Sequence, residues 1–154
     1  MRRIIASDAY EYPFSPQLIY QVLADIPGYK NWWPRGVKVK VLEESETKLG
    51  SKIEVWASGG WFRCTTTSLN PPSSVDVQYY AGVVLGESKW TITPLENGMT
   101  KVTYSIDLEP NGVLPRALSN VVNISTIHSL QFKRVLKSLH RYLSSLKENN
   151  FALQ

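Results

Sequence analysis

His128 and Ser125 are the side chains in this sequence whose types and spacing could carry proton chemistry. They stand three residues apart in a segment without Pro or Gly, so one face of a helix would present both. An imidazole, with a pKa of about 6.5, could accept or donate a proton near neutral pH. Tyr104 and Ser125 could orient a polar group of a ligand. Because no Asp or Glu lies one helical turn from His128, the alternative is a structural histidine bonded to backbone or water.

Other reactive groups are few. The single cysteine, Cys64, excludes an internal disulfide and a Cys-based zinc site. His128 and His140 are the only histidines, too few for a His-rich metal site. The sequence has no phosphate-binding loop, no Ser/His/Asp order and no metal-ligand spacing. We therefore expect no metal and no cofactor, and we interpret Cys64 as a small buried residue rather than a nucleophile.

A long C-terminal helix must position these residues. The predicted helix runs from Val113 to about Leu146, and after Pro115 in its first turn the chain contains no Pro or Gly up to Leu146. Steps of three and four residues place one set of side chains on a continuous face: Val121, Ser125, His128, Phe132, Val135, Leu139, Tyr142 and Leu146. The C-terminal half of this face is apolar, which predicts packing against a sheet. Ser125 and His128 interrupt the N-terminal half, where we expect the ligand.

The rest of the chain predicts a first strand at residues 2–12, two short helices and then six strands. Ser15-Pro16 supplies an N-cap and a proline at the first helical position, and Pro27-Gly28 is expected to end that helix. A second short helix is expected over residues 29–33, ending at Pro34. In the strands that follow, apolar and polar residues alternate, which predicts one buried face and one solvated face.

The first predicted hairpin has a Gly59-Gly60 turn. In that register Val55 faces Cys64 on the inner face. Trp56 faces Arg63 on the outer face, where the guanidinium could stack on the indole.

The last hairpin is expected to have a three-residue loop, Glu96–Gly98. This loop pairs Ile92 with Val102 and Trp90 with Tyr104, which keeps the apolar residues on one face. A two-residue loop would put threonines on that face instead. Gly98 then takes the left-handed position of a bulged turn.

A sheet with one buried face needs a cover, and only the C-terminal helix is long enough to provide it. Antiparallel connectivity brings loops 58–61, 81–87 and 109–114 to one end, together with the start of that helix. These loops are rich in glycine and apolar residues, as at the mouth of a pocket, although they could simply plug the core. The predicted ligand-binding residues are Trp33, Val55, Phe62, Cys64, Tyr79, Leu85, Trp90, Tyr104, Leu114, Val121, Ser125, His128 and Phe132.

Length and composition fit one α+β domain over residues 1–154, with 43% hydrophobic and 19% charged residues. The sequence has no signal peptide and no apolar run of about 20 residues, so we expect a cytoplasmic protein without a transmembrane segment. The net charge of +4 is mild, and we expect no DNA partner. The cations near the C-terminus predict a solvated helix face, or a patch for nucleic acid or anionic membrane: Lys133, Arg134, Lys137, Arg141 and Lys147.

Residues 15–34, SPQLIYQVLADIPGYKNWWP, resemble the opening of the START-like (SRPBCC) superfamily: a Ser-Pro, a helix with Ile or Val, an Asp, then a Tyr and a Trp-rich end. Residues 69–72 and 90–95 resemble strand ends of the same superfamily. It includes polyketide cyclases/dehydrases, lipid-transfer proteins, coenzyme Q-binding proteins and the birch pollen allergen group. The resemblance implies a helix-grip fold, with a seven-stranded curved antiparallel sheet, two short helices and a long helix across a hydrophobic cavity.

Members of this superfamily bind lipids, polyketides, isoprenoids or hormones, many of them without catalysis. Three functions therefore stay open. The chain could carry or sense a hydrophobic small molecule, such as a lipid, isoprenoid or polyketide. It could be a polyketide cyclase or dehydrase with His128 as acid and base. It could also be an interaction module that contacts RNA or protein through the basic helix face.

Overall fold

The computed structural model describes residues 3–57, 60–111 and 124–152, with the side chains of the last segment described from 132 to 147. A first strand, β1 (Ile4–Tyr12), leads into helix α1 (Pro16–Ala24) and a 3₁₀ helix (Ile26–Asn31). Six strands and a long helix follow in this order: β2 (Lys38–Glu43), β3 (Lys52–Ala57), β4 (Gly60–Asn70), β5 (Ser74–Gly82), β6 (Val84–Pro94), β7 (Thr100–Pro110) and α2 (Ile124–Ala152).

The strands form one antiparallel sheet in the order β1-β7-β6-β5-β4-β3-β2. Burial alternates along β7, where Val102, Tyr104, Ile106 and Leu108 are buried and their neighbours are more exposed. This period of two is what a strand with one covered face requires. The seven-stranded sheet and its long helix confirm the predicted helix-grip architecture.

The last hairpin has the predicted register. Ile92 pairs with Val102 and Trp90 pairs with Tyr104. Gly98 has a φ of +81°, the left-handed conformation that a bulged turn requires at this position.

The register of the first hairpin differs from the prediction. Ala57 pairs with Gly60, so Trp56 faces Trp61 and Val55 faces Phe62. The predicted stacking of Arg63 on Trp56 is therefore wrong. Both faces keep their predicted residues. The observed partner of each β3 residue lies two positions away from the predicted one, and side chains of a strand alternate with a period of two.

Arg63 has other partners on the outer face. Its guanidinium lies 5.2 Å from the centre of the Trp61 ring, and its Nε lies 2.9 Å from Oε2 of Glu54. The Trp56 indole donates to the other carboxylate oxygen of Glu54 at 2.8 Å. These two hydrogen bonds, the indole bond foremost, lower the pKa of Glu54.

Helix α1 begins as predicted, because the Ser15 hydroxyl accepts a hydrogen bond from the backbone N–H of Leu18 at 3.2 Å. It ends earlier than predicted, at Ala24. Pro27 and Gly28 do not end it but lie within the 3₁₀ helix. Proline fits the first turn of a helix, where its missing N–H would have had no partner.

Helix α2 packs chiefly on β1, one edge of the sheet. The Tyr12 hydroxyl donates to the backbone carbonyl of Leu136 at 2.7 Å, and this bond is buried. The buried face of the helix is wider than the predicted stripe: Phe132, Val135, Leu136, Leu139 and Leu143. The helix also continues past the predicted end near Leu146, whereas its predicted start at Val113 lies outside the described residues. None of the helices in the described segments is long and apolar enough to cross a membrane.

Candidate ligand-binding cavity

A cavity of about 170 Å³ lies between α2 and the half of the sheet farthest from β1. Because α2 packs on β1, the inner faces of β3 and β4 are left partly uncovered on this side. The cavity is lined by the 33–37 connection after the 3₁₀ helix, by three strands and by α2: Trp33, Pro34, Arg35, Gly36, Val37, Val55, Ala57, Phe62, Tyr79, Phe132, Arg134 and Val135.

Aromatic rings form much of the wall. The Phe62 and Tyr79 rings are stacked, with centroids 4.9 Å apart and planes 14° apart. The Phe132 ring, on α2, contacts the Tyr104 ring, with 4.5 Å between the ring centroids. The Trp90 ring also packs on Tyr104, with 4.1 Å between the centroids. Interlocked rings of this kind hold a rigid surface that an apolar or aromatic ligand can contact.

The Tyr79 and Tyr104 hydroxyls form a buried pair, with 2.7 Å between the oxygens. Burial raises the pKa of both phenols, so both remain protonated at neutral pH. One proton is used within the pair, and the second can go to another acceptor, such as Ser88 or a ligand oxygen. The pair can therefore act as a hydrogen-bond donor, whereas its raised pKa opposes a role as a general base.

Trp33 adds a second donor. It lines the cavity, and its indole Nε1 is buried without an acceptor among the described residues. Its ring is held by stacking on Tyr29 at 5.5 Å. The Tyr29 hydroxyl in turn donates to the carbonyl of Leu23 at 2.5 Å, which ties this wall to α1.

Five of the predicted ligand-binding residues line the cavity: Trp33, Val55, Phe62, Tyr79 and Phe132. Cys64, Trp90 and Tyr104 are buried on the same inner face but lie outside the lining. Burial raises the pKa of the Cys64 thiol, which disfavours the nucleophilic thiolate.

Leu85 was placed incorrectly. It pairs with Glu109 on the outer face of the sheet, because residues 84–94 are strand and the predicted 81–87 loop shrinks to a turn at Val83. Leu114 and Val121 lie outside the described residues. Ser125 and His128 fall in the first turns of α2, where only the backbone is described, so the predicted role of His128 stays a prediction.

Sequence reasoning missed the 34–37 connection, Ala57 and Arg134, all of which line the cavity. A signal for the connection was present, since Pro34 and Gly36 bracket a loop directly after a Trp-rich segment. Arg134 gave no such signal, because a cation on a helix is normally read as part of a solvated face.

The described parts of the predicted mouth do converge. Val83 donates through its backbone N–H to the carbonyl of Trp61 at 2.9 Å, and Asn111 donates in the same way to the carbonyl of Val83 at 2.8 Å. The Asn111 side chain donates to the carbonyl of Gly82 at 2.8 Å. Three connections predicted from strand direction alone therefore meet at one end of the sheet.

A larger depression, of about 410 Å³, crosses the outer face of β4 to β7. Several of its charged side chains form ion pairs with each other or with a neighbouring residue. Lys89 lies 4.0 Å from Asp76, and Arg3 lies 2.7 Å from Asp107. We place the site in the smaller cavity, because that one is apolar and lined by aromatic rings. No group of His, Cys, Asp and Glu within the described residues could hold a metal ion.

The seven-stranded sheet and the long helix packed on it define a helix-grip protein of the START-like class. Residues 5–144 match the sequence profile of the family described as polyketide cyclase/dehydrase and lipid transport, and the chain belongs to this family. No curated protein shows significant sequence similarity to it.

Solved structures agree on the fold. A START superfamily protein from Mycobacterium smegmatis superposes with a TM-score of 0.73 at 17% identity, over 92% of this chain and 98% of that one. The protein TTHA0849 from Thermus thermophilus gives 0.75 at 14% identity, over 92% and 98%. The Zhui aromatase/cyclase from Streptomyces sp. R1128 gives 0.73 at 15% identity, over 93% and 94%.

Proposed function

We propose that this protein binds a hydrophobic small molecule in the cavity between the sheet and α2, as a carrier or a sensor. The observation that supports this most directly is the cavity itself, apolar and walled by Phe62, Tyr79 and Phe132. A rigid aromatic wall that borders empty space loses dispersion contacts, and a ligand of matching shape would restore them.

The volume limits the size of the buried part of the ligand. A dry cavity of about 150 Å³ can hold benzene, and pockets for drug-sized molecules measure about 300–1,000 Å³. The 170 Å³ bounded by the described residues therefore suits one aromatic ring or a short branched chain. We expect the remainder of a longer ligand to extend towards the mouth.

The polar groups on the wall favour a ligand that carries a hydrogen-bond acceptor. The Tyr79–Tyr104 pair and the Trp33 indole supply donors beside an otherwise apolar surface. A few placed donors on an apolar wall orient a ligand without contributing most of its affinity.

The proposal is tested with N-phenyl-1-naphthylamine, a neutral probe that becomes fluorescent in apolar surroundings. We expect the wild-type protein to bind it and the Ala57→Trp variant to lose binding, because the indole would fill the space that Ala57 lines. Ser68→Trp, at an exposed position of the neighbouring strand β4, is the control and should bind as wild type. Absence of probe binding to the wild-type protein would refute the proposal.

A polyketide cyclase or dehydrase is the second candidate, favoured by the description of the family. In this reading His128 moves the proton and the Tyr79–Tyr104 pair donates a hydrogen bond to a substrate carbonyl. The test supplies a linear aromatic polyketide precursor and follows ring closure. Loss of turnover in His128→Ala with probe binding retained would favour the enzyme, whereas a wild-type protein that does not accelerate ring closure would leave the carrier.

A further inference from the structure

Two arginines from different elements line the same apolar cavity. Arg35 belongs to the connection between the 3₁₀ helix and β2, and Arg134 belongs to α2. Both residues are exposed and also contribute to the lining. A long cationic side chain in such a position commonly runs along the apolar surface and keeps its charged group in water. Neither forms an ion pair with a carboxylate within the described segments.

The polar side chains of this lining are donors or are already paired. An arginine has five N–H donors and no acceptor, and the Trp33 indole is a donor only. The Tyr79 hydroxyl is paired with Tyr104. The described lining contains no Asp or Glu, so no carboxylate would repel an anion there.

The surrounding charge has the same sign. Between residues 124 and 147 the sequence of α2 contains five Lys or Arg and no Asp or Glu. Lys133, Lys137 and Arg141 are exposed on the helix that carries Arg134. A single-sign surface beside an opening raises the local concentration of oppositely charged ligands.

We propose that the cavity takes an amphipathic organic anion, whose apolar body enters between the aromatic walls and whose anionic group stays beside Arg35 and Arg134. This inference rests on the proposed ligand-binding function and names the chemical class of the ligand. An anionic group that stays partly in water beside Arg35 and Arg134 avoids the cost of burying a charge. It can still interact with two guanidinium groups.

A pair of probes with the same aromatic body tests this. N-phenyl-1-naphthylamine is neutral, and 1-anilinonaphthalene-8-sulfonate adds one sulfonate. We expect the wild-type protein to bind the sulfonate more tightly, with an advantage that shrinks as salt is raised, because exposed charges are screened. Each of Arg35→Gln and Arg134→Gln should weaken sulfonate binding about two- to fivefold, the range of an exposed ion pair. Neutral probe binding should stay unchanged.

The matched control is the Lys38→Gln/Lys137→Gln double variant. It removes the same net charge from exposed positions on β2 and α2 that do not line the cavity. We expect the Arg35→Gln/Arg134→Gln double variant to lose about tenfold in sulfonate affinity if the two exposed pairs add. The lysine double variant should lose much less sulfonate affinity. Ala57→Trp should bind neither probe.

Three results would overturn the inference while the proposed function stands, as long as the neutral probe is bound. The sulfonate could bind no more tightly than the neutral probe. Its advantage could survive in the arginine double variant, or the lysine double variant could lose as much. If neither probe binds, the proposed function itself fails, and this inference fails with it.

Discussion

At the scale of residues, the buried hydroxyl pair of Tyr79 and Tyr104 is the feature that links stability to chemistry. Each ring packs against other aromatic rings, and one hydroxyl donates to the other, with 2.7 Å between the oxygens. Removing one partner would leave a buried hydroxyl in need of another acceptor or donor, which costs about 1–3 kcal/mol. The pair therefore constrains the wall as well as offering a donor to a ligand.

Alkaline pH should destabilise the protein through this pair. Burial raises the pKa of both phenols in the folded state, whereas the unfolded chain releases these protons near pH 10. The unfolded state then binds fewer protons than the folded state, so stability is full below about pH 10 and falls above it. Each phenol contributes a loss of about 1.4 kcal/mol per pH unit until its folded-state pKa is reached.

Urea unfolding at about pH 9 and about pH 11 measures this effect. The Tyr79→Phe/Tyr104→Phe double variant should lose less stability over that interval than the wild-type protein. Tyr80→Phe is the control, because Tyr80 is half-buried near Lys52 and does not line the cavity. Equal losses in the wild type and the double variant would contradict the assignment.

The alternation of a strand predicts on which face of the sheet a side chain lies, whereas a ligand-binding role for the same residue stays a prediction. Val55, Phe62 and Tyr79 were placed on the inner face by alternation alone, and they line the cavity. The prediction that Leu85 lies in a loop is wrong. A turn as tight as the one at Val83 cannot be distinguished from a longer loop by sequence when several glycines are present. Arg134 could not be found, since a sequence does not show where a long side chain lies against an apolar edge.

At the scale of elements, two glycines in the β6–β7 hairpin are required for different reasons. Gly86 has a φ of +143°, and a Cβ built on it would lie 2.2 Å from the carbonyl oxygen of Asp107 on β7. A glycine within a strand often marks such a close approach of two backbones. Gly98, at +81°, has nothing within 4 Å of the same position, so only its backbone conformation requires glycine.

Alanine substitutions should separate these two requirements. Gly98→Ala should cost about 1–2 kcal/mol, the cost of a left-handed conformation for a residue with a Cβ. Gly86→Ala should cost about 3 kcal/mol or more, because strain of about 1–3 kcal/mol is joined by a backbone clash that no side-chain rotation relieves. Urea unfolding of the two variants measures the difference, and equal costs would show that the β6–β7 contact yields easily.

The sequence pattern predicts correctly which described segments are strands and helices. It predicts the strand register correctly for the β6–β7 hairpin but not for the β3–β4 hairpin. The Glu96–Gly98 loop was fixed because only one register kept threonines off the buried face. The first hairpin offered no such choice, since the predicted and observed registers both leave Val55 and Phe62 facing inwards. A shift that preserves the faces cannot be detected from the hydrophobic pattern.

At the scale of the whole molecule, an occupied cavity should stabilise the fold. A ligand that binds only the folded state adds about 2.7 kcal/mol at a concentration of 100 Kd. For a chain of this size that corresponds to a Tm increase of about 5–10 °C, at about 2–4 °C per kcal/mol. Calorimetry with N-phenyl-1-naphthylamine should show this increase in the wild-type protein and none in Ala57→Trp. Probe fluorescence without any change in Tm would contradict preferential binding of the probe to the folded state.

The bond between Tyr12 and Leu136 has a consequence for the order of folding. It joins residues 124 positions apart, and β1 also pairs with β7. The first strand is therefore synthesised well before its partners, β7 and α2. Contacts of such separation form slowly, because the chain entropy of a large loop is lost before the contact gains anything. During synthesis the apolar inner face of the sheet therefore stays exposed to the cell until α2 emerges. We expect aggregation to be a greater risk in that interval than in the finished fold.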